Sequence, residues 1–396
     1  MNIVKSNERY EAWLHDQLRE RFTQDKRVRL VKEDLAAKHK KMCRGKRFLR
    51  ATYWRWAETI FEICPELKDA PSVVAVGDIH IENFGTWRDD EGRLIWGVND
   101  FDEAAEMPYA LDIVRLATSA AITGGQHLTA RSICDLILSG YRAGLANPKA
   151  LVLEEAADWL YENVRAGAKD FKAFWEDLMV PDTTTPNHRS GKAGRPPPSF
   201  VAALDRERPK GTTHPIYQPR TAGGGSLGRP RWVLIGEWQG GTVVREAKAL
   251  VASAWTYVHG EEPNWLWCNR IAKGRYRSPD PWYRERHSIL TRRLSPNNRK
   301  LEILDDPSSL AILPALLNLM GQDLAAVHLG IADRRKEIDD HLAAHDTKFC
   351  EKAVTNAVES VREDHREWSK SEDVCRQKTA ANSRVRKVPA LARRPA

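Results

Sequence analysis

Residues 73–85 read VVAVGDIHIENFG, and the fold turns on the residues just after the apolar run. "SVVAV" (72–76) reads as a buried strand, because β-branched residues dominate it and no polar residue interrupts it. The run stops at Gly77-Asp78, and His80, Glu82 and Asn83 come at once after it. Two chemistries compete for this pattern. Asp-x-His after a strand can open a two-metal phosphoesterase site, which needs a second Gly-Asp block and a Gly-Asn-His, because two metals demand many O and N ligands. Neither block is present downstream; Asn187-His188 lacks the glycine and lies in a Pro/Thr-rich stretch. The second chemistry uses the spacing of Asp78 and Asn83. At that spacing a kinase-type catalytic loop presents a base to an acceptor hydroxyl and an amide oxygen to Mg2+.

The flanking residues extend this second reading. "FGTWRDDEGRLIWGVND" (84–100) reads as a hairpin around Asp89-Asp90-Glu91-Gly92 and returns the chain to "VNDFDEA" (98–104). Asp100 then reaches the cation held by Asn83. Asp102 joins as a second carboxylate ligand if the chain turns, and points elsewhere if the strand continues. Two carboxylates and one amide make a hard oxygen shell suited to Mg2+. Each residue alone reads more simply as a turn cap or a solvated acidic loop; the ordered set is what carries function. His80 is expected to orient the loop by a hydrogen bond, since Mg2+ prefers oxygen, and Glu82 is expected to be exposed. Asp112 either caps the helix that begins after Pro108 or braces the catalytic loop from beneath, with Arg115 as its helical partner. Arg50, in "KRFLRATYW" (46–54), either reaches the site or makes a surface salt bridge.

A nucleotide-dependent phosphotransferase also needs a cradle for phosphates. Residues 223–228, GGGSLG, fit G-x-G-x-x-G, with Lys248 in "VVREAK" (243–248). By itself the pattern is weak, and a flexible linker end explains it equally well. Strand, glycine turn, strand and lysine is nonetheless the kinase order rather than the dinucleotide-binding one. Gly223, Gly225, Ser226 and Gly228 would cover the phosphates, and Lys248 would pair with the α/β oxygens. Glu261 and Glu262 are weak candidates for its acidic partner. Arg292 and Arg293 either contact phosphate or are solvated. Since the glycine loop comes after the catalytic loop, the kinase order would be circularly permuted, with a helix at 46–64 feeding the catalytic strand.

Composition bounds the rest. A chain of 396 residues with 42% apolar residues fills a substantial core and has room for two or three domains. No early stretch reads as a signal peptide and no uninterrupted apolar run approaches about 20 residues, so a cytoplasmic protein without membrane partners is expected. Six cysteines without a C-x-x-C pair read as reduced packing thiols. The formal charge is +8, but residues 376–396 hold seven Lys/Arg and no acid. The basicity is therefore mostly a tail property, and nucleic acid is not an expected partner.

The chain divides into an N-terminal helical segment (1–72), the catalytic-loop and metal-loop half of a larger lobe (73–180), and a Pro/Gly-rich basic linker (181–222). Next come a β-rich nucleotide lobe (223–305), C-terminal helices (306–366) and a disordered basic tail (367–396). The second hairpin is "RWVLIGEW", "QGG", "TVVREAKALV", and "HSILTRRLS" and "RKLEIL" are further strand candidates.

Assembled, these segments resemble the bacterial domain-of-unknown-function 2252 family, which is grouped with the protein-kinase-like superfamily. The matching pieces are "KRFLRATYW", "GDIHIENFG", "GVNDFDEA", "YALDIVRLATS", "GGGSLGRPRWV", "VVREAKA", "RRLSPNNRKLE" and "LMGQDLAAVHLG", covering most of residues 40–330. The resemblance implies an α+β, kinase-like, two-lobed fold with a mainly helical larger lobe. Similarity to aminoglycoside and choline kinase loops maps the base onto Asp78 and metal ligands onto Asn83 and Asp100. Val76 stands where those loops usually carry His, which bears on how the loop is anchored. The expected activity is transfer of phosphate from ATP, with Mg2+, to a hydroxyl of a small molecule or protein. AMP transfer by the same residues is the close rival, and a non-catalytic kinase-like regulator is the rival of another class. Neither the acceptor nor the oligomeric state comes with the family.

Overall fold

In the computed structural model, residues 1–124, 127–179, 195–260, 265–300, 307–345, 347–371 and 375 are described. Glu261, Glu262, Asn187, His188 and the basic tail at 376–396 lie outside them, as does most of "RKLEIL".

The N-terminal segment is helical, as its three- and four-residue apolar spacing predicts: α1 (Ile3–Arg21), α2 (Lys32–Met42), α3 (Gly45–Ala51) and α4 (Tyr53–Ile63). The single helix expected over 46–64 is broken at Thr52, whose φ of −128° leaves the helical region and whose hydroxyl donates to Phe48 O.

The apolar run becomes β1 (Ser72–Ala75), and the hairpin becomes β2 (Phe84–Arg88) and β3 (Leu94–Val98). Sequence patterning missed β4 (Ala105–Pro108), which pairs antiparallel with β1; four residues are too few for alternation to register. The chain continues into α5 (Tyr109–Thr123) and α6 (Ala130–Ala146), then the two-residue β5 (Leu151–Val152) on the far side of β3, and α7 (Leu153–Ala156), α8 (Asp158–Val164) and α9 (Ala168–Met179).

The stretch read as a linker contains α10 (Pro198–Glu207) and β6 (Thr213–Pro219). β6 pairs with β7 (Arg231–Trp238), β7 with β8 (Gly241–Ala249), β8 with β10 (Ile289–Arg293), and β10 with β9 (Arg284–Arg286). All pairs are antiparallel, in the order β6-β7-β8-β10-β9. The β7–β8 turn has φ of 48° at Gln239 and 79° at Gly240, the double positive φ of a tight hairpin turn. Short helices α11 (Ala254–His259) and α12 (Cys268–Ala272) lie between β8 and β9, and α13 (Pro307–His328), α14 (Arg335–Ala344) and α15 (Thr347–Ser371) complete the chain.

One face of the five-stranded sheet changes character along its length, because alternate residues share a face. Val233, Ile235, Val244 and Leu294 form an apolar patch under Phe174, Trp175 and Leu178 of α9. Toward the other end the same parity carries Arg231, Glu246, Lys248 and Arg292, in register as Arg231 opposite Lys248 and Arg292 opposite Glu246. The opposite face places Leu234, Ala247, Ala249 and Ile289 in the main core, which also takes in Phe200 and Leu204 of α10.

Leu310–His328 is long and apolar enough to cross a bilayer by length and composition, yet more than half of it is buried inside the protein. It carries the buried Asp323 and His328, both hydrogen-bonded within the core. The cysteines correct a sequence expectation. Cys43 and Cys375 form a disulfide across 332 residues, while Cys64, Cys134, Cys268 and Cys350 are free and buried. A pair so distant in sequence leaves no local spacing to read.

Candidate functional site

The catalytic-loop candidate leaves β1 through Gly77, at φ 78°. A Cβ there would lie 2.3 Å from Glu103 O and 2.7 Å from the Tyr53 hydroxyl, so the turn that delivers Asp78 admits only glycine. One face of α5 then fixes the loop at three heights. Asp112, 1% exposed, accepts the backbone N–H of Val76 at 2.7 Å and of Gly77 at 2.9 Å. Arg115, fully buried, donates to Asp78 Oδ1 at 2.5 Å and to Leu49 O. Ser119 accepts from Ile81 N. The spacing of three and four residues puts all three side chains over the same loop. Asp112 therefore braces the loop rather than capping the helix, and Arg115 pairs with Asp78 instead of Asp112. His328 Nε2 donates to Asp112 Oδ2, 3.1 Å away, and its other ring nitrogen meets the Tyr141 hydroxyl. Anchoring of the loop thus runs through Asp112 and His328, with Val76 contributing only its backbone.

Asn83 joins the two halves of the candidate site. Its Nδ2 donates to Asp78 O and to Asp100 O, both at 3.2 Å. Its Oδ1 is buried and has no partner. Unpaired buried acceptors are uncommon and expensive, and Asn83 lines a small cavity of about 50 Å³ together with Asp78, Asp100, Asp102 and Lys300. Asp100 is partly open, with a side chain 38% exposed. Against the pull of burial, Lys248, Lys300 and Arg292 hold its carboxyl far below the usual carboxylate range. Burial pushes the Asp78 carboxyl up to about 7, although the Arg115 guanidinium opposes the shift. Asp102 is buried; burial and then the neighbouring Asp100 charge raise its pKa, and its Oδ2 accepts from Lys248 Nζ at 2.5 Å. Its Oδ1 has no partner.

Hard oxygen donors, one of them an orphaned amide oxygen, fit a divalent cation such as Mg2+. Asn83 and Asp100 are the residues that would hold one, and Asp102 lines the same cavity. Among the described residues, no group of three or more His, Cys, Asp or Glu side chains is placed to hold a metal on its own, so the donor set depends on Asn83 and on oxygens brought by a ligand.

The glycine loop does meet the loop that carries Asp78. Gly223, Gly224, Gly225 and Ser226 line the same small cavity, and a Cβ at Gly225 would sit 2.9 Å from Asp78 Oδ2 and 3.1 Å from Arg50 O. Gly228 does not line it: at φ 98° it packs against Leu35 of α2, and its carbonyl accepts from Val31 N. Thr221 donates to Asp34, and Lys41 to Gly223 O, so α2 carries the loop. Gly225→Val is expected to reduce any nucleotide-dependent turnover by about 10²-fold, the scale for a small misplacement of reacting groups, with a melting temperature within a few degrees of the parent. Parental turnover would show that close approach of the loop to Asp78 is not required.

Three supporting residues differ from expectation. His80 is buried, its Nδ1 is unpartnered, and burial with the nearby Arg50 charge holds the imidazole neutral; its side chain makes no hydrogen bond among the described residues, because the α5 contacts already orient the loop. Glu82 is half-buried and pairs with Arg50, which lines the small cavity and a larger one beside it. Lys248, 1% exposed, faces Asp102 and lines neither cavity.

That larger cavity, of about 490 Å³, adjoins the first through Arg50, Asp100, Gly223, Gly224 and Lys300. Arg220, Arg231 and Arg292 line it, and all three donate to the buried Glu246. Sequence reasoning missed this cluster. A signal existed: Glu246 stands two residues before Lys248, on the same strand face, where an apolar residue would be ordinary.

A family model described as an uncharacterized protein conserved in bacteria (DUF2252) matches residues 29–171. The match takes in Arg50, the loop from Gly77 to Asn83, Asp100, Asp102, Asp112 and Arg115, and ends before the glycine loop. No curated protein and no solved structure matches the chain.

Proposed function

We propose that this protein is a phosphotransferase of protein-kinase-like architecture that moves phosphate from ATP, with Mg2+, to a hydroxyl group. The observation that carries the reading is Asn83. Its amide N–H groups are spent on the backbone of Asp78 and Asp100, and its oxygen is buried without a partner in a residue that lines one small cavity with both acids. A permuted kinase order is supported by the succession of catalytic loop, metal loop, β6, glycine loop, β7 and lysine-bearing β8.

In this reading Asp78 orients the acceptor hydroxyl and takes its proton, and Arg115 fixes the carboxylate that does so. Mg2+ bound by Asn83 and Asp100 would supply charge neutralisation at the phosphates. Gly223 to Ser226 close the cleft over them. The rest of the catalytic effect is positioning and electrostatics.

Since Asp78 has a pKa of about 7, it must lose its proton to act as base. Turnover is expected to fall about tenfold per pH unit below 7 and to level off above it. A rate flat from pH 5.5 to 8 would contradict the assignment.

The direct test incubates the purified protein with ATP, Mg2+ and a panel of hydroxyl acceptors, including the protein itself, and reads products by mass spectrometry. Phosphoryl transfer adds about 80 Da and AMP transfer about 329 Da to the acceptor, on the scheme of phosphoryl chemistry. Absence of both additions, together with no thermal shift by ATP in any divalent metal, would favour the non-catalytic regulator.

A further inference from the structure

The larger cavity has one strongly cationic wall, built in an unusual way. Glu246 is 1% exposed, and its Oε1 accepts from Arg231 Nη1 at 3.0 Å and Arg292 Nε at 2.7 Å, while its Oε2 accepts from Arg220 Nη1. Three guanidiniums on one carboxylate leave two positive charges in excess. Arg231 spends a further N–H on Ser226 Oγ of the glycine loop. Both Nη groups of Arg292 have no hydrogen-bond partner among the described residues, and neither does Nζ of Lys300, which lines the same cavity.

Three other arginines of the same cavity have acidic partners, Arg50 among them through Glu82. Arg277 binds Asp323 and Val98 O, and Arg293 binds Asp280 and Arg88 O. The densest group of guanidiniums in the cavity is the Glu246 cluster. A buried ion network that serves stability alone is matched or bettered by apolar residues of similar size. A cationic wall that faces a cavity and is only partly offset by the Asp100 carboxylate near Arg292 is costlier still, and an anion relieves that cost. Guanidinium forks suit phosphate oxygens, which they bind in pairs through short, charge-assisted hydrogen bonds.

We propose that this cavity binds a chain of linked phosphates without a metal, gripped by Arg220, Arg231 and Arg292 as positioned by Glu246. The cavity shares Asp100 with the residues assigned to the cation, but the grip on phosphate is made by the arginines and needs no cation, so it is tested separately from the phosphotransfer reading. Trp87, Phe101 and Tyr283 also line the cavity and offer a surface for a nucleobase. The phosphates thus belong either to a nucleoside triphosphate or to a polyphosphate without a base.

Titration calorimetry of the full chain in EDTA, with tripolyphosphate and separately with ATP, tests this. Saturable binding is expected, weakened at least about tenfold (about 1.4 kcal/mol) by Arg292→Gln. Arg284→Gln, an exposed arginine on the same sheet, should leave binding unchanged. Arg220→Gln, partly exposed at the rim, gives a second reading if Arg292→Gln fails to fold. Equal affinities for the two ligands would assign the site to the phosphate chain alone, and tighter ATP binding would assign it to a nucleotide. Absence of binding in EDTA would overturn the proposal, as would losses in both variants no larger than in Arg284→Gln. Because no metal is present, this result is independent of whether Mg2+-dependent turnover exists.

Discussion

Asp100→Ala is expected to lower Mg2+-dependent transfer by about 10³-fold or more while leaving the fold intact. The size reflects removal of a fixed charge aimed at a site of developing negative charge, where single donors are worth 10² to 10³. The fold is spared because Asp100 is partly open and its ion pair with Lys248, at 3.6 Å, is long, while Lys248 keeps Asp102 at 2.5 Å. Steady-state rates at saturating Mg2+ and circular dichroism of the same preparation separate the two effects. Raising Mg2+ should not rescue the variant fully, since Asn83 alone offers one neutral oxygen. Turnover equal to the parent would remove Asp100 from the site.

Asp112→Ala should act through stability. Its carboxylate is 1% exposed and satisfies two backbone N–H groups as well as His328. Truncation strands all three donors in the interior, where each unpaired group costs about 1–3 kcal/mol. A loss of about 3–5 kcal/mol in unfolding free energy is the expected result by denaturant titration, the range for removing one partner of a buried charged pair. Asp112→Asn retains an acceptor for one N–H and should lose less. Because the anchored residues are Val76 and Gly77, either variant also frees Asp78, so activity should fall further than stability predicts. A change below about 1 kcal/mol would mean that the loop is held elsewhere.

The parts legible in the sequence are those with local periodicity. β1, the hairpin of β2 and β3, and the hairpin of β7 and β8 announce themselves by β-branched runs and turn residues, and the spacing of Asp78 and Asn83 pointed to one loop. The convergence of Asp100 and of the glycine loop on that loop also matches expectation, as the shared cavity records. Partnerships across long separations were out of reach. Arg115 is three residues from Asp112 and reads as its helical partner, yet the turn at Gly77 brings Asp78 to it instead. Lys248 reads as a phosphate ligand, but it lies where Asp102 takes its charge. Glu246 and its arginines come from three strands and a loop, so only strand register assembles them. The same holds for Cys43 and Cys375, whose pairing depends on where α2 ends relative to the far end of the chain.

The central claim is that Asn83 and Asp100 share one divalent cation beside Asp78. Crystals grown with Mn2+ and a non-hydrolysable ATP analogue, measured at the manganese edge, test it most directly. The account predicts an anomalous peak at about 2.0–2.3 Å, the range for hard-cation oxygen ligands, from both Asn83 Oδ1 and a carboxylate oxygen of Asp100. A bound nucleotide whose metal touches neither residue, or Asn83 Oδ1 still without a ligand at saturating Mn2+, would contradict it.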